Sequence, residues 1–227
     1  MDYLHQFLFG IYPYIAAAVF LLGSLARFER DQYTWRSESS QLLRTGALRL
    51  GSNLFHIGII GLFFGHFVGL LTPVAIWDAL GVPHGAKQAF AMIAGGIMGA
   101  MCLIGLLILI HRRLTEPRIA AQTRFGDKLV LVWLLITVSL GLATIPVSAG
   151  HMDGHMMVML MTWAQHIVTF RADAAQFIVE TSPLFKLHLF MGMSIFVIFP
   201  FTRLVHIWSG FGAVTYLSRA WQLVRTR

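Results

Sequence analysis

The sequence predicts an all-α integral membrane protein with five transmembrane helices. Of its 227 residues, 57% are hydrophobic and only 12% are charged, which excludes an ordinary soluble domain. Five apolar runs are each long enough, at about 1.5 Å per residue, to cross a hydrocarbon core of about 30 Å. Short connections join them, so a single transmembrane domain over residues 1–227 is expected. The runs are Leu4–Ala26, Gly51–Thr72, Ala89–Ile110, Leu129–Val147 and Pro183–Val205.

The basic residues lie mainly at one end of these runs. Of the 17 Lys and Arg residues, 14 follow the first or third run, precede the second or fourth, or close or follow the fifth. The other three are Lys87, Arg171 and Lys186. Because basic residues are retained in the cytoplasm, this predicts an outside N-terminus and a cytoplasmic C-terminus with a tail at 207–227. Topology thus explains the net charge of +7, and no nucleic-acid partner is expected.

The first run begins beside an acidic residue and is followed by arginines. A secretory signal has the reverse charge order, so an uncleaved first span is expected. Residues 27–50 then form a polar cytoplasmic connector of mixed charge. This connector is either a docking surface for a soluble partner or a solvated loop.

Two of the apolar runs each contain a pair of histidines. The second run holds His56 and His66 and has no Asp, Glu, Lys or Arg, although a polar side chain is costly in hydrocarbon unless it is used. The fifth run leads from His188 to His206, 18 residues later. This separation is about five full turns, so one face of a continuous helix would carry both. Pro200 is expected to kink that end.

Antiparallel packing of the second and fifth runs would pair these histidines by depth. His66 and His188 would lie toward the outside, and His56 and His206 toward the cytoplasm. One histidine from each helix at each level is how two ligands bind a planar haem. In straight helices His56 and His66 would be about 15 Å apart along the helix axis, and His188 and His206 about 27 Å apart. This mismatch between the two helices predicts tilted helices or tilted haem planes.

Other uses of the histidines remain open at this point. They could be satisfied packing residues, or line a proton relay or a metal transporter without haem. Zinc prefers a tetrahedral cluster, whereas these pairs lie at two depths. The chain has no CxxCH sequence, so covalent haem attachment is not indicated.

Small residues within the runs predict close helix contacts. A glycine stripe in the second run faces away from both histidines and is typical of close packing. The single cysteine lies mid-run and is predicted to be a buried apolar residue. These residues are Gly58, Gly61, Gly65, Gly69 and Cys102.

The long segment Ser148–Ser182 has an apolar stretch that is too short to span a membrane comfortably. An interfacial or re-entrant helix on the outer side is therefore expected. Its first part contains His151, Asp153 and His155. These are metal-ligand types, although loop histidines are usually solvated.

Several stretches together carry a resemblance to one family. They are SNLFHIGIIGLFFGHFVGLLTP (52–73), TWRSESSQ (34–41), TIPVSAGHMDG (144–154), FKLH (185–188) and FPFTRLVHIWS (199–209). They resemble the gamma subunits of respiratory nitrate reductases, which are di-haem cytochromes b that anchor a cytoplasmic catalytic complex. The similarity extends from IYPYIAAAVFL near the start to YLSRAWQLVR near the end.

The resemblance implies a set of cofactors and partners. Two haem b groups would take His56 and His206 as inner ligands and His66 and His188 as outer ligands. Quinol would be oxidised at the outer haem. Electrons would pass to an iron–sulfur subunit and a molybdenum catalytic subunit in the cytoplasm, and the chain would lie in the bacterial cytoplasmic membrane.

Two further residues are candidates for the quinol site. Lys87 opens the third run after the turn GVPHG, where its ammonium could hydrogen-bond a quinol oxygen or accept a proton. An interfacial lysine that extends toward the head groups is the alternative, but the resemblance places a lysine at this position near the quinol. Gly65, beside His66, either leaves room for the ring or packs against a helix.

Three arginines on the cytoplasmic side are candidates for the haem propionates, because arginine pairs with carboxylates bidentately. They are Arg36, Arg112 and Arg203, although topology alone would also place arginines there. Rival functions are a cytochrome b subunit of a hydrogenase or formate dehydrogenase, a histidine-lined transporter without haem, and a purely structural anchor.

Overall fold

The computed structural model describes residues 2–30 and 47–208. Within these ranges the regular structure is entirely helical, and five helices are long and apolar enough to cross a membrane. The predicted fold class is therefore confirmed, while its orientation stays a prediction. The five spans are Tyr3–Arg30, Leu48–Leu71, His84–Thr115, Phe125–Ala149 and Pro183–Phe201.

The first span changes helix type near its start. A π-helical section, Phe7–Ile11, lies just before Pro13. Proline has no N–H and its ring clashes with the carbonyl four residues earlier, here that of Phe9, so the helix widens at this point. The Phe9 carbonyl instead accepts a hydrogen bond of 2.9 Å from the Trp163 indole.

The second and third spans pack at backbone distance. A Cβ on Gly58 would lie 2.5 Å from the Cys102 nitrogen, and one on Gly61 would lie 2.6 Å from a methionine sulfur. Close packing is therefore confirmed for these two glycines, and Cys102 is fully buried as predicted. The interpretation was wrong for Gly65 and Gly69, where a Cβ would meet nothing within 4 Å.

A helix of 14 residues, His155–Val168, lies between the fourth and fifth spans. We call it the half-length helix. The predicted short helix is confirmed, and it is attached to the end of the second span because Gln165 donates to the carbonyls of Leu70 and Thr72 at 3.1 Å. The segment that follows is tied back by His166, whose hydrogen bond lowers the pKa of Asp173 from its ordinary value.

The fifth span is not the continuous helix that the sequence predicted. Its α-helical part is Pro183–Ile198, a 3-10 turn covers Phe199–Phe201, and Thr202 is extended with φ −128° and ψ −179°. A second 3-10 turn, Arg203–Val205, precedes His206. The argument that five regular turns place His188 and His206 on one face was therefore wrong, and the depth mismatch calculated from it does not apply.

The break has an identifiable cause. Pro200 lacks the N–H that would continue the helix, which leaves carbonyls to be satisfied by other groups. The Arg27 guanidinium at the end of the first span donates to the Pro200 carbonyl at 2.8 Å and to the Thr202 carbonyl at 2.7 Å. The expected disturbance at Pro200 is confirmed, and it is a complete interruption rather than a kink.

Candidate functional site

The structure brings together each pair of histidines that the sequence assigned to one depth. The ring centroids of His66 and His188 are 6.0 Å apart, and those of His56 and His206 are 6.4 Å apart. The broken fifth span therefore still presents one histidine to each histidine of the second span.

All four imidazoles are oriented by a hydrogen bond at the same ring atom. In each ring Nδ1 lies within 3.1 Å of a backbone carbonyl oxygen, and the carbonyls belong to Ser52, Leu62, Thr137 and Arg203. A carbonyl can only accept, so Nδ1 is the donating nitrogen, which leaves Nε2 as the nitrogen available to a metal. This is the tautomer that a histidine needs in order to bind a metal through Nε2.

The geometry of the pairs fits a metal ion between two imidazoles. Two metal–nitrogen bonds of about 2.0–2.1 Å, together with the ring atoms behind them, give centroids roughly 6 Å apart. The second and fifth spans do not pack extensively against each other, and Gly65 and Gly192 border open space. A planar haem fits such a gap.

The described residues do not form a site with three or more protein ligands to one metal ion. Within residues 2–30 and 47–208, no group of three or more His, Cys, Asp or Glu side chains is arranged to bind a metal ion. The segment around His151, Asp153 and His155 is included in that range, so its possible metal site is not found. The Asp153 carboxylate instead accepts from the His155 backbone N–H at 3.1 Å.

Lys87 lies at the same end of the bundle as the His66 pair. Its side chain is buried, with 8% of the residue exposed. The ammonium donates to the Gly69 carbonyl at 3.0 Å, contacts the Met161 sulfur at 2.7 Å and lies 4.5 Å from the centre of the Trp77 ring. Because Gly69 is less than one turn from His66, the lysine contacts the same end of the second span that carries His66.

A narrow pocket surrounds this ammonium, between the third span, the half-length helix and the short helix Val74–Ala79. The indole Nε1 of Trp77 is buried there without a hydrogen-bond partner in the part of the chain that the structure describes. A buried donor without an acceptor is costly, so one of the residues that line this pocket carries an unused hydrogen-bond donor. The pocket is lined by Val74, Trp77, His84, Lys87, Met157, Val158 and Met161.

The arginine candidates have different surroundings. Arg36 lies outside the described residues, and Arg112 is buried at the end of the third span. Arg203 lies 3.6 Å from the Asp127 carboxylate, which Arg113 also approaches at 3.4 Å. Arg203 therefore has a carboxylate partner within the chain.

Sequence reasoning missed Arg27, which supports the segment carrying His206. Its two carbonyl partners are 173 and 175 residues away along the chain. The only local signal was its position directly after an apolar run, which many basic residues share. A contact of this range depends on the tertiary arrangement of the first and fifth spans.

Comparisons with known proteins agree on one family. The family described as the nitrate reductase gamma subunit matches residues 5–227. The chain is 52% identical over 227 residues to the respiratory nitrate reductase 1 gamma chain of Escherichia coli (strain K12), covering 100% of both. It is 48% identical to the respiratory nitrate reductase 2 gamma chain of the same strain, covering 100% of this chain and 99% of that one. It is 35% identical over 223 residues to the nitrate reductase gamma chain of Bacillus subtilis (strain 168), covering 98% of each.

Proposed function

The chain belongs to the nitrate reductase gamma subunit family, and from this premise we propose that it oxidises quinol and delivers the electrons through two haem b groups. As a respiratory nitrate reductase gamma chain it is the membrane cytochrome b subunit of that enzyme complex. It is a multi-pass protein of the bacterial inner membrane, and nitrate is reduced on partner subunits. Family membership argues against the hydrogenase, formate dehydrogenase and transporter alternatives.

The observation that carries the proposal is the pairing of four histidines at two depths. His66 and His188 are the outer haem ligands, and His56 and His206 the inner ones. A bound haem b takes up and releases one electron at a time. The chain supplies imidazoles whose Nδ1–H groups already donate to carbonyls, which fixes ring orientation and raises ligand basicity.

Quinol binds beside the outer pair at the edge of this pocket, which is too narrow to hold the ring itself, with Lys87 as the polar contact. Its oxidation releases a quinone, two protons and two electrons. A quinol oxygen that approaches the ammonium replaces the Met161 sulfur, which is a weak acceptor, and the Trp77 Nε1–H can donate a second hydrogen bond. Gly65 borders open space and leaves room for the ring between this pocket and His66.

Electrons leave the inner pair toward partners in the cytoplasm. We propose that these are an iron–sulfur subunit and a molybdenum catalytic subunit, and that residues 1–227 form one transmembrane domain with a cytoplasmic tail at 207–227. If the quinol protons leave outside, electron transfer across the bilayer is electrogenic. Arg36, Arg112 and Arg203 stay candidates for propionates at the cytoplasmic side, with Arg203 shared between a propionate and Asp127.

Replacement of single histidines tests the haem assignment. His66→Ala and His188→Ala are each expected to remove the same haem from the reduced-minus-oxidised spectrum, and His56→Ala and His206→Ala the other. Loss of one axial nitrogen removes half of the protein's bonds to the iron, so haem content is expected to fall from two to one per chain.

His111→Ala serves as the matched control, because His111 lies exposed at the end of the third span and pairs with no other histidine in our assignment. This variant is expected to retain both haems. If losing His66 removed the same haem as losing His206, the pairing by depth would be incorrect.

A further inference from the structure

His188 differs from the other three paired histidines in the source of its hydrogen bond. In the other three rings Nδ1 binds a carbonyl three or four residues earlier in the same segment. The Nδ1 of His188 binds the Thr137 carbonyl at 3.1 Å, which lies on the fourth span and 51 residues away along the chain. The orientation of this ring is therefore set by a neighbouring helix.

The fourth span also has no side chain at the position that faces the ring, because that residue is Gly141. Gly141 follows Thr137 by one helical turn, so both lie on one face. A Cβ on Gly141 would be 2.9 Å from Cε1 of His188, 3.4 Å from Nε2 and 3.5 Å from Nδ1. All three distances are to the imidazole, so any larger residue at this position would press on the ring itself.

We propose that the Thr137 carbonyl and Gly141 form a seat that positions the His188 imidazole for the outer haem, with Gly141 as a positioning residue. The inference rests on the assignment of His188 as an outer ligand in the proposed function. The carbonyl fixes the rotation of the ring and makes it a stronger electron donor, while the glycine allows the ring to lie against the helix backbone.

The seat is built on a firmly held part of the fourth span. Trp133, one turn before Thr137, donates its indole N–H to the Met191 carbonyl of the fifth span at 2.9 Å. On the other side, the Thr144 hydroxyl donates to the Gly141 carbonyl at 2.7 Å. The Trp133 bond links the two spans and opposes their separation, whereas the Thr144 bond lies within the fourth span and holds the backbone at Gly141. An added methyl group at Gly141 is therefore expected to displace the ring.

The test is Gly141→Ala in the complete complex, with the two low-spin haem signals resolved by electron paramagnetic resonance and by redox titration. The outer haem is expected to show a shifted highest g value and a higher midpoint potential, because the weakened bond to Thr137 reduces the basicity of the ligand. The affinity of the chain for the outer haem is expected to fall about tenfold if the ring is displaced fully. The inner haem is expected to be unchanged.

Gly99→Ala is the matched control. A Cβ on Gly99 would lie 2.7 Å from the Leu142 side chain, so this variant disturbs the packing of the third and fourth spans beside the seat without contacting His188. It is expected to leave both haem signals as they are. An outer-haem change equal to that of Gly141→Ala, or no change in Gly141→Ala, would overturn the proposal.

A double variant keeps the proposal testable if Gly141→Ala accumulates poorly. Once His188→Ala has removed the ring, adding Gly141→Ala is expected to have no further effect on accumulation or on the inner haem, because the two effects share one contact. A double variant that is less abundant than His188→Ala would contradict the seat. If His188→Ala itself retained both haems, the assignment of His188 as a ligand would be wrong. This outcome separates a failure of the proposed function from a failure of the seat.

Discussion

At the scale of single residues, Lys87 shows how a charge is accommodated inside an apolar bundle. A buried ammonium is costly unless it is paired or hydrogen-bonded. This one has a carbonyl, a thioether and the face of an indole around it. The last two are weak partners that a ligand oxygen can replace, which suits a binding group better than a structural ion pair would.

Lys87→Ala is expected to slow quinol-dependent haem reduction by about 10²-fold, the lower end of what a positioned acid–base group contributes. Both haems are expected to remain, since no contact of Lys87 involves the four histidines. The measurement is stopped-flow haem reduction by quinol, alongside turnover with an artificial donor that reduces the cytoplasmic partner directly, which is expected to persist.

Lys186→Ala controls for the loss of a lysine at the same end of the bundle. The Lys186 ammonium donates to the Val179 carbonyl and is not part of the pocket, so normal quinol kinetics are expected. Unchanged kinetics in Lys87→Ala would remove this residue from the quinol site and leave His66 as its landmark.

At the scale of elements, the fifth span joins a regular helix to an irregular end. The helix presents His188, and two short 3-10 turns around extended Thr202 present His206. The irregular end needs partners for its exposed carbonyls, and Arg27 supplies two hydrogen bonds there. The first span thereby helps to define where His206, the proposed inner ligand, lies.

Arg27→Met is expected to disturb the inner haem selectively. Hydrogen bonds to a charged group contribute about 1.5–3 kcal/mol each, and without them the segment from Pro200 to His206 loses its support. The inner-haem signal is expected to broaden or weaken in optical and paramagnetic resonance spectra, with the outer haem unaffected.

Arg30→Met is the control, because Arg30 is exposed at the end of the same span. It is expected to behave as the unmodified protein. Equal damage to both haems in Arg27→Met would mean that Arg27 stabilises the whole bundle rather than the broken end.

At this scale, the sequence could predict features whose cause lies within one segment, but not features that depend on contacts between spans. The length of the apolar runs predicted five spans, because that signal is local, and the opposite directions expected for the second and fifth spans predicted the two histidine pairs. The break at Thr202 and the seat of His188 depend on contacts with other spans, so local periodicity missed them. Gly65 and Gly69 were misjudged for the same reason: a stripe of glycines does not show which of them has a helix opposite.

At the scale of the whole molecule, the two ends of the bundle differ in charge and chemistry. One end gathers Arg27, Arg113 and Arg203 with Asp127 around the segment that carries His206. The other end holds Lys87 and the half-length helix beside the His66 pair. Because basic residues are retained in the cytoplasm, the arginine-rich end is expected to face the partner subunits and the lysine pocket to face outward.

Cysteine labelling tests this orientation, and the native thiol does not interfere because Cys102 is fully buried. Ala79→Cys and Ala121→Cys place exposed thiols at the ends of the short helices that precede the third and fourth spans. A membrane-impermeant maleimide is expected to label Ala79→Cys in spheroplasts, and Ala121→Cys only after the membrane is opened. The reverse pattern would put quinol oxidation on the cytoplasmic side. Electrons would then cross the bundle toward the outside, and the direction of charge transfer argued above would be reversed.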